Sequence, residues 1–241
     1  MIDFKGAKTL VTGGTRGIGL AIASRLKALG ADVKVTGRSP EAPEAARGFG
    51  YLTADFSTPE GTDRCVEAVR SMSGLAVLIN NAGINKIHRI EDFPAGDFDE
   101  ITQVNYTAVY RVTQAAAQLM LEEKTAGRVV NIASIWATQA RIGRSAYCSA
   151  KAGLLGMTRA VSVDLAAQGI LVNAVSPGFV NTELTARTLG PEGIAEVSGQ
   201  IPAGRLAEPT EIAEVVAFLA SPNNTYLTGQ NIIVDGGFTN V

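Results

Sequence analysis

The sequence is poor in the residues on which several common kinds of catalytic and structural site depend. Its 241 residues include one histidine, His88, and two cysteines, Cys65 and Cys148. A single histidine excludes a histidine-based catalytic triad unless His88 is its member. Two cysteines cannot form a disulfide framework, and without a histidine cluster they predict no metal site. We expect Cys148 to be a small core residue, since no base accompanies it.

Charge of one sign and long apolar runs are also lacking. The net charge is −2, from 21 basic and 23 acidic residues, and no basic run predicts a nucleic-acid partner. Residues 165–182 carry no formal charge, but polar residues, Gly and Pro interrupt them, so we expect a buried strand and no membrane span. The first six residues lack the pattern of a secretion signal. We therefore expect a cytoplasmic protein without nucleic-acid or membrane partners.

What the sequence does contain is an alternation of short β-branched runs with helical stretches. Strands that are apolar on both faces and separated by helices predict a parallel sheet covered on both sides. No linker divides the chain, so we expect one α/β domain over residues 1–241, a doubly wound parallel sheet of about seven strands. The predicted strands are 8–12, 31–36, 51–54, 76–80, 128–133, 170–176 and 231–234, and the predicted helices are 17–29, 59–72, 97–123, 145–168 and 209–220, with a short helix within 40–47.

Residues 178–208 form the longest segment without a predicted strand. The segment is rich in Gly, Thr, Pro and Glu, and it follows the carboxyl end of the sixth strand. Doubly wound sheets bind their ligands at that edge. The segment is therefore predicted to be a flexible lid over a substrate.

Three glycines follow the first predicted strand and open the first helix. Gly13 permits a tight turn, Gly17 lets backbone amides approach a pyrophosphate, and Gly19 lets the helix pack closely on the sheet. The N–H groups at the helix start and the positive end of its dipole attract phosphates. This strand–turn–helix context predicts a dinucleotide site on a Rossmann-type sheet. Its predicted contacts are Gly13, Thr15, Arg16, Gly17, Ile18 and Gly19.

The end of the second predicted strand indicates which dinucleotide is preferred. An NAD-selective site usually has an acidic residue there, whereas this chain has Arg38 and no acid. Arg38 and Arg16 could both hold a 2′-phosphate, and one charge-assisted hydrogen bond of about 1.5–3 kcal/mol favours NADP by roughly 10- to 150-fold. We expect NADP(H) in preference to NAD(H). The alternative is that Arg38 is a solvated loop residue.

Residues after the third and fourth predicted strands extend the cofactor site. Asp55 either accepts a hydrogen bond from the adenine amino group or caps a helix. Asn81, Ala82 and Gly83 let the chain pass close to the adenosine ribose, unless the asparagine side chain serves to tie strands together.

A tyrosine and a lysine lie four residues apart, with a serine thirteen residues before the tyrosine. On a helix, Tyr147 and Lys151 share one face, one turn apart. An ammonium about 4 Å from the phenol, at an effective dielectric near 20, favours the phenolate by roughly 4 kcal/mol, or close to three pKa units. With Ser134, the pair predicts proton exchange during hydride transfer at a carbonyl carbon. The spacing alone also fits a packed phenol beside a solvated amine.

Taken together, these motifs resemble those of the compact short-chain dehydrogenase/reductase family over essentially the whole chain. The general pattern, including the C-terminal stretch 228–237, is similar to that of 3-oxoacyl-acyl-carrier-protein reductases. The motifs that carry the resemblance are Thr12-Gly13-x3-Gly17-x-Gly19, Asn80-Asn81-Ala82-Gly83, Asn105, Ser134, Tyr147-x3-Lys151 and Pro177-Gly178.

The resemblance implies specific roles for the matching residues. Tyr147 would exchange a proton with the substrate oxygen, Ser134 would hydrogen-bond that oxygen, and Lys151 would bind the nicotinamide ribose. Asn105 would anchor a water that links Lys151 to solvent, or else be a buried amide that bends its helix. Pro177, Gly178 and Thr182 would contact the nicotinamide carboxamide. The resemblance also implies a homotetramer, with a dimer as the alternative, formed through helices 97–123 and 145–168.

The substrate is less well indicated. Arg141 and Arg144 would face an anionic substrate or lie at the surface. The expected reaction interconverts a ketone and a secondary alcohol, either a 3-oxoacyl thioester or a polyol, sugar or cyclic alcohol. A catalytically silent nucleotide sensor is the alternative from another class; an epimerase or dehydratase would need a further substrate domain. The predicted pocket residues are Asn85, Ile135, Trp136, Gln139 and Phe179.

Overall fold

The computed structural model describes residues 2–241 as one seven-stranded parallel sheet with helices on both faces. The strand order is β3-β2-β1-β4-β5-β6-β7, which confirms the predicted Rossmann-type α/β class. The strands are β1 (Lys8–Val11), β2 (Asp32–Gly37), β3 (Gly50–Thr53), β4 (Leu75–Asn80), β5 (Arg128–Ile132), β6 (Leu171–Pro177) and β7 (Asn231–Val234). The helices are α1 (Gly17–Ala28), α2 (Pro59–Arg70), α3 (Ala95–Thr102), α4 (Ala108–Glu122), α5 (Ser145–Leu165), α6 (Glu183–Gln200) and α7 (Pro209–Ala220).

Apolar side chains on both faces of the strands divide the core into two main layers. Val11 of β1 packs in a cluster with residues of α1 and α7. The next residue back along the strand, Leu10, packs in a second cluster with residues of α2 and α4. Successive side chains of a strand point to opposite faces, so a strand buried on both sides is apolar at successive positions. The order of the strands reverses between β1 and β4, which places a ligand crevice beside their carboxyl ends.

A buried polar chain joins the two central strands below that crevice. Asn80 and Asn131 are paired in the β4–β5 register. The Asn80 amide donates to Asn131 Oδ1 at 2.8 Å, and the Asn131 amide donates to Thr158 Oγ1 of α5 at 2.9 Å. Because buried polar groups are costly without partners, this chain of bonds holds α5 at one height against the sheet.

The predicted helix 97–123 is in fact interrupted. It begins earlier, as α3, and passes through a π-helical turn at Gln103–Thr107 before α4. Within that turn, Asn105 is fully buried. Its Oδ1 accepts from the Ile84 amide at 2.9 Å, and its amide donates to the Ile84 carbonyl at 2.8 Å. A π turn adds one residue to the helix, and such turns are frequent at functional sites.

The segment 178–208 contains a helix that the sequence did not indicate. Thr182 caps α6 by accepting a hydrogen bond from the Thr185 amide at 3.2 Å. The helix breaks at Gly190 (φ 65°, ψ 178°), immediately before Pro191. A glycine and a proline inside a helix both weaken the helical signal, and only Val197 of α6 is buried, so no apolar periodicity marked it.

The other predicted elements agree with the structure to within a few residues. The short helix near 40–47 is a 3₁₀ turn at Glu44–Ala46. The helix 145–168 is α5 followed by a 3₁₀ turn that ends at Gly169, where φ is 76°. None of the helices among residues 2–241 is long and apolar enough to cross a membrane.

Candidate active site

A cleft of about 620 Å³ runs along the carboxyl ends of the strands. Of the residues predicted to bind cofactor or substrate, Ile135 and Gln139 do not line it, and neither does Asn105. Those that line it are Gly13, Thr15, Arg16, Gly17, Ile18, Gly19, Arg38, Asp55, Asn81, Ala82, Gly83, Asn85, Ser134, Trp136, Tyr147, Lys151, Pro177, Gly178, Phe179 and Thr182.

The glycine turn is packed too tightly for side chains. Gly13 has φ 63°, and a Cβ added to it would lie 2.9 Å from Ala82 Cα. A Cβ on Gly19 would overlap the Gly13 carbonyl and the Asn81 side chain. These close approaches leave the backbone of the turn bare along the cleft, where N–H groups can meet phosphate oxygens.

Two threonines hold this turn in place: Thr12, which belongs to the glycine motif, and Thr36, which the sequence analysis did not identify. Thr36 Oγ1 accepts from the Gly13 amide at 3.0 Å. Thr12 Oγ1 accepts from the amides of Asn81 and Ala82 at 2.9 and 3.1 Å. The Asn81 side chain in turn donates to the carbonyls of Thr12 and Gly13. The Asn81 side chain therefore ties the end of β4 to the glycine turn. This agrees with the alternative that an asparagine here serves to tie strands together.

The adenosine half of the cleft carries two exposed arginines and one carboxylate. Arg16 precedes α1 in an extended conformation, and Arg38 follows β2. Asp55 Oδ1 accepts from the Ser57 amide and hydroxyl at 3.0 and 2.8 Å. The residue that caps α2 is Thr58, which accepts from the Gly61 amide. The helix-cap alternative for Asp55 is therefore wrong, and Asp55 instead closes a local turn.

Ser134 and Tyr147 meet at the other half of the cleft. Ser134 follows β5 and starts a 3₁₀ turn, where its Oγ accepts from the Trp136 amide at 3.2 Å. Tyr147 lies in the first turn of α5. Burial raises the pKa of the Tyr147 phenol above its ordinary value, and a hydrogen bond with Ser134 opposes that rise. At neutral pH the phenol is thus protonated and can act as a proton donor.

Lys151 is buried one helical turn after Tyr147, as the spacing predicted. Its Nζ donates to the Ile132 carbonyl at 2.7 Å and lies 5.9 Å from the centroid of the Tyr147 ring. Burial lowers the pKa of Lys151 to about 8. That Lys151 lowers the Tyr147 pKa stays a prediction; in this structure its amine donates to a backbone carbonyl. The charge of Arg144 lowers the Tyr147 pKa.

Asn105 lies behind this group rather than on the cleft wall. Both ends of its amide are used by Ile84, so its side chain is a buried tie between the π turn and the loop after β4. A Cβ added to Gly83 would lie 3.2 Å from Asn105 Oδ1 and 3.7 Å from Lys151 Nζ. A side chain at position 83 would therefore crowd Asn105 and reach Lys151.

Aromatic rings and two arginines form the wall beside Ser134. The Trp136 ring packs edge-on against Phe179 and Phe238, with centroids 6.1 and 6.2 Å apart. Arg144 lies 5.9 Å from the Trp136 ring and lines the cleft. Arg141 lies 5.8 Å from the same ring but does not line the cleft. Phe238 belongs to the C-terminal residues, and no local pattern indicated that it would reach this wall.

Three predictions near this wall need correction. Ile135 is fully buried, because its side chain faces the interior. Gln139 donates to the Thr239 carbonyl and so holds the C-terminal segment instead of a ligand. Cys148 is only partly buried, and its Sγ donates to the Gln139 carbonyl at 3.8 Å. It is not a core residue.

The first half of α6 contributes a further wall of the cleft. A Cβ on Gly17 would lie 3.6 Å from the Thr182 methyl group, so the start of α6 stands over the glycine turn. The sequence analysis had identified only Thr182 here. The further lining residues from this helix are Glu183, Leu184, Thr185, Thr188 and Leu189.

Comparison with known proteins identifies the family. Residues 13–239 match the family model described as enoyl-(acyl carrier protein) reductase. The chain is 37% identical over 243 residues to the 3-oxoacyl-[acyl-carrier-protein] reductase of Escherichia coli K12, covering 98% of each chain. It is 35% identical over 244 residues to that of Vibrio cholerae, again covering 98% of each.

Solved structures agree with this assignment. One from Agrobacterium tumefaciens, provisionally assigned as a 2-deoxy-D-gluconate 3-dehydrogenase with bound NADP, has 34% identity and a TM-score of 0.90, covering 99% of this chain and 98% of that one. One from Beutenbergia cavernae, provisionally assigned as an NAD(P)-dependent gluconate 5-dehydrogenase with NADP at low occupancy, has 34% identity and a TM-score of 0.93, covering 99% of both. The chain is a member of the short-chain dehydrogenase/reductase family of oxidoreductases.

Proposed function

We propose that this protein interconverts a ketone and a secondary alcohol by NADP(H)-dependent hydride transfer, with Tyr147 as the general acid and base. The observation that carries the proposal is that Ser134 and Tyr147 line the same cleft as the glycine turn, with the serine hydroxyl near enough to lower the tyrosine pKa. Two hydroxyl groups that converge there fit a single substrate oxygen. This arrangement favours chemistry at a C=O or CH–OH group over reduction of a carbon–carbon double bond.

The residues present fit a bound NADP(H). The turn at Gly13, Gly17 and Gly19 is a cradle that added Cβ atoms would fill or distort. Arg16 and Arg38 offer two cations, in keeping with the NADP bound in the two related structures. When bound, the cofactor would supply the hydride for reduction or take it up in oxidation. Pro177, Gly178 and Thr182 would line its nicotinamide end.

The protein's own residues handle the proton and the orientation. In the reductive direction, Tyr147 would donate its phenolic proton to the carbonyl oxygen while Ser134 donates a second hydrogen bond to it. The raised pKa of Tyr147 keeps the phenol in its donor form at neutral pH. Lys151 would leave the Ile132 carbonyl to bind the ribose hydroxyls, and Asn105 would keep the Ile84 loop in position beside it.

The segment 178–208 would serve as a lid. Its helix α6 lines the cleft with its first half and breaks at Gly190, where the left-handed φ permits a hinge. Small changes at such a hinge would open and close the cleft around a substrate.

Arg38 gives a direct test of the cofactor preference. Arg38→Gln is expected to lower kcat/KM for NADPH by about 10- to 150-fold, because one charge-assisted hydrogen bond to the 2′-phosphate is lost. The kcat/KM for NADH, which lacks that phosphate, should change by less than about threefold, which is well below the effect of one such bond. Steady-state kinetics at limiting cofactor concentration measure both.

Arg47 is a matched control for that experiment. It is an exposed arginine in the connection between β2 and β3, which also contains Arg38, and it does not line the cleft. Arg47→Gln should leave both cofactors unaffected. Equal losses with NADPH and NADH in the Arg38 variant, or wild-type enzyme that uses NADH as well as NADPH, would contradict the assignment.

The reaction class is tested with a panel of ketones and NADPH absorbance. The panel contains an acetoacetyl thioester, oxo sugar acids and cyclic ketones, which cover the substrate classes named for the relatives and the alternatives above. We expect turnover with at least one of them. A nucleotide sensor without activity would bind NADPH but would not oxidise it with any ketone of the panel.

We further propose a cytoplasmic homotetramer. Both cysteines are free thiols among residues 2–241, as is usual in a reducing compartment. Helices α4 and α5 expose large apolar side chains, among them Tyr110 and Val163, the latter 80% exposed. Covering these faces with a second copy removes them from water. Light scattering at micromolar concentration should give four times the monomer mass of 25.1 kDa, and a stable monomer would contradict the proposal.

A further inference from the structure

We propose that Arg144 binds a carboxylate on the substrate, so that this protein acts on a small oxo or hydroxy acid. The inference rests on the proposed carbonyl chemistry and specifies its substrate class. It is carried by the position of the guanidinium, three residues before Tyr147 on the wall of the cleft.

Arg144 is a half-buried cation without an anionic partner. Among residues 2–241, no carboxylate forms an ion pair with it. Burial and the like charge of Arg141 both lower its pKa, which reflects the cost of holding this charge here. A guanidinium held in such a place is suited to receive an anion, because binding would repay that cost with charge-assisted hydrogen bonds.

The acidic residues that line the same cleft are engaged elsewhere or lie apart. Asp55 accepts hydrogen bonds from Ser57, and Glu100 pairs with Lys86. Glu183 is the first residue of α6 and forms no ion pair among residues 2–241. None of them pairs with Arg144, so a carboxylate brought by the ligand would meet an uncompensated positive charge.

The guanidinium is oriented by the aromatic wall. It lies over the Trp136 ring, 5.9 Å from the ring centre, and Arg141 lies over the same ring at 5.8 Å. This cation–π contact restricts the guanidinium and leaves its N–H groups free to form two parallel bonds with a carboxylate.

The position of Arg144 beside Tyr147 favours a carboxylate on the substrate itself. The two side chains line the same cleft, three residues apart in the chain, and the charge of Arg144 lowers the Tyr147 pKa, so we expect the bound anion to lie a few bonds from the reacting carbonyl. The phosphate of a carrier-linked thioester is separated from its oxo group by a long arm, and the 2′-phosphate of NADP belongs at Arg38. A short oxo acid satisfies both Tyr147 and Arg144.

A second polar group near this wall suits a hydroxylated acid. Asn85 lines the cleft, and its buried Oδ1 has no hydrogen-bond partner among residues 2–241. Its loop packs against the loop that carries Arg144, since the His88 amide donates to the Gly143 carbonyl at 3.1 Å. A substrate hydroxyl would satisfy this acceptor.

The test compares oxo acids with their methyl esters, which keep the ketone and remove the charge. The pairs are 3-oxobutanoate, 4-oxopentanoate and 5-oxohexanoate, each with its methyl ester, reduced with NADPH. Arg144→Gln is expected to lower kcat/KM for the preferred acid by about 10- to 150-fold, mainly through KM, since one charge-assisted interaction is lost. The value for the ester should change less than about threefold, below the effect of such a bond.

Two variants distinguish recognition from positioning. Arg141→Gln removes the neighbouring cation, which does not line the cleft, and should leave the acid-to-ester ratio unchanged. Arg144→Lys keeps a charge and should restore part of the preference for the acid. Equal losses for acid and ester in Arg144→Gln would show that the residue positions Tyr147, and an equal effect of Arg141→Gln would show that Arg144 is not the binding group; either result overturns the proposal.

A binding measurement keeps this inference separate from the proposed reaction. Trp136 is the only tryptophan, so its fluorescence reports on the wall where Arg144 stacks. Titration with 4-oxopentanoate should give a saturable change, with a Kd raised at least about tenfold in Arg144→Gln, as the loss of a charge-assisted bond requires. Its methyl ester should give a weak signal. Identical titrations of acid and ester would overturn the proposal, whereas reduction of no ketone at all would contradict the proposed function.

Discussion

Tyr147→Phe is expected to lower kcat for ketone reduction by about 10²- to 10⁴-fold, which is the usual contribution of a positioned general acid. Phenylalanine keeps the ring and removes the hydroxyl that would donate the proton. Because the ring still fills its place in α5, binding of NADPH should stay close to that of the native protein. Steady-state kinetics and a fluorescence titration of NADPH measure the two effects separately.

The pH dependence gives a second view of the same residue. Since the pKa of Tyr147 is raised, the phenol is protonated at neutral pH, so reduction should be fast there and fall as the pH rises through that pKa. Alcohol oxidation needs the phenolate and should rise with pH.

Ser134→Ala is the matched control for Tyr147→Phe. It removes the neighbouring hydroxyl but leaves the proton donor, so it should lower kcat less than Tyr147→Phe does. A Tyr147→Phe enzyme with near-native turnover would show that another group transfers the proton.

Lys151→Met is expected to lower kcat/KM at least about a hundredfold, as the loss of two charge-assisted bonds to a ribose would. The same substitution has a distinct effect on stability. The pKa of Lys151 is about 8 in the folded protein against an ordinary value of 10.5, because its burial disfavours the charged form. Below pH 8 both states carry the proton, and the folded state bears the cost of the buried charge.

Between pH 8 and 10.5 the folded protein has released this proton while the unfolded chain still holds it. The free energy of unfolding contributed by Lys151 therefore rises with pH across that window, by about 2–4 kcal/mol at about 1.4 kcal/mol per pKa unit. Methionine has no such titration. Chemical unfolding of both proteins at pH 7 and pH 10 should show that the free energy of unfolding of the native protein rises relative to that of the variant. The other titrating groups are common to both proteins and cancel in this comparison. A constant difference would mean that the amine is not held as a buried charge.

Much of the fold could be predicted because its signals are local. A strand buried on both faces must be apolar at successive positions, and a helix between strands shows its own apolar spacing, so all seven strands and the main helices were found. The exception is α6, whose Gly190 and Pro191 remove the helical signal and which buries only Val197. Its helical form depends on lying over the cleft, which no local pattern records.

The candidate site divides in the same way. The glycine turn and the spacing of Ser134, Tyr147 and Lys151 could be identified from the sequence because each is a short motif whose residues stay together in any fold that places strand, turn and helix in that order. The inward face of Ile135 and the contact of Gln139 with Thr239 could not, because a side chain's direction in an irregular turn depends on what packs against it.

The amino-acid sequence alone determined the layered sheet, the glycine turn at its edge and most of the polar side chains that line the cleft. Only the tertiary structure decided where those groups point: Lys151 toward the Ile132 carbonyl, Asn105 toward Ile84, and Arg144 toward the cleft with no carboxylate beside it. The reason is physical. Periodicity and motifs reflect interactions between near neighbours in the chain, whereas the charge state and partner of a buried group depend on contacts between residues that are distant in sequence.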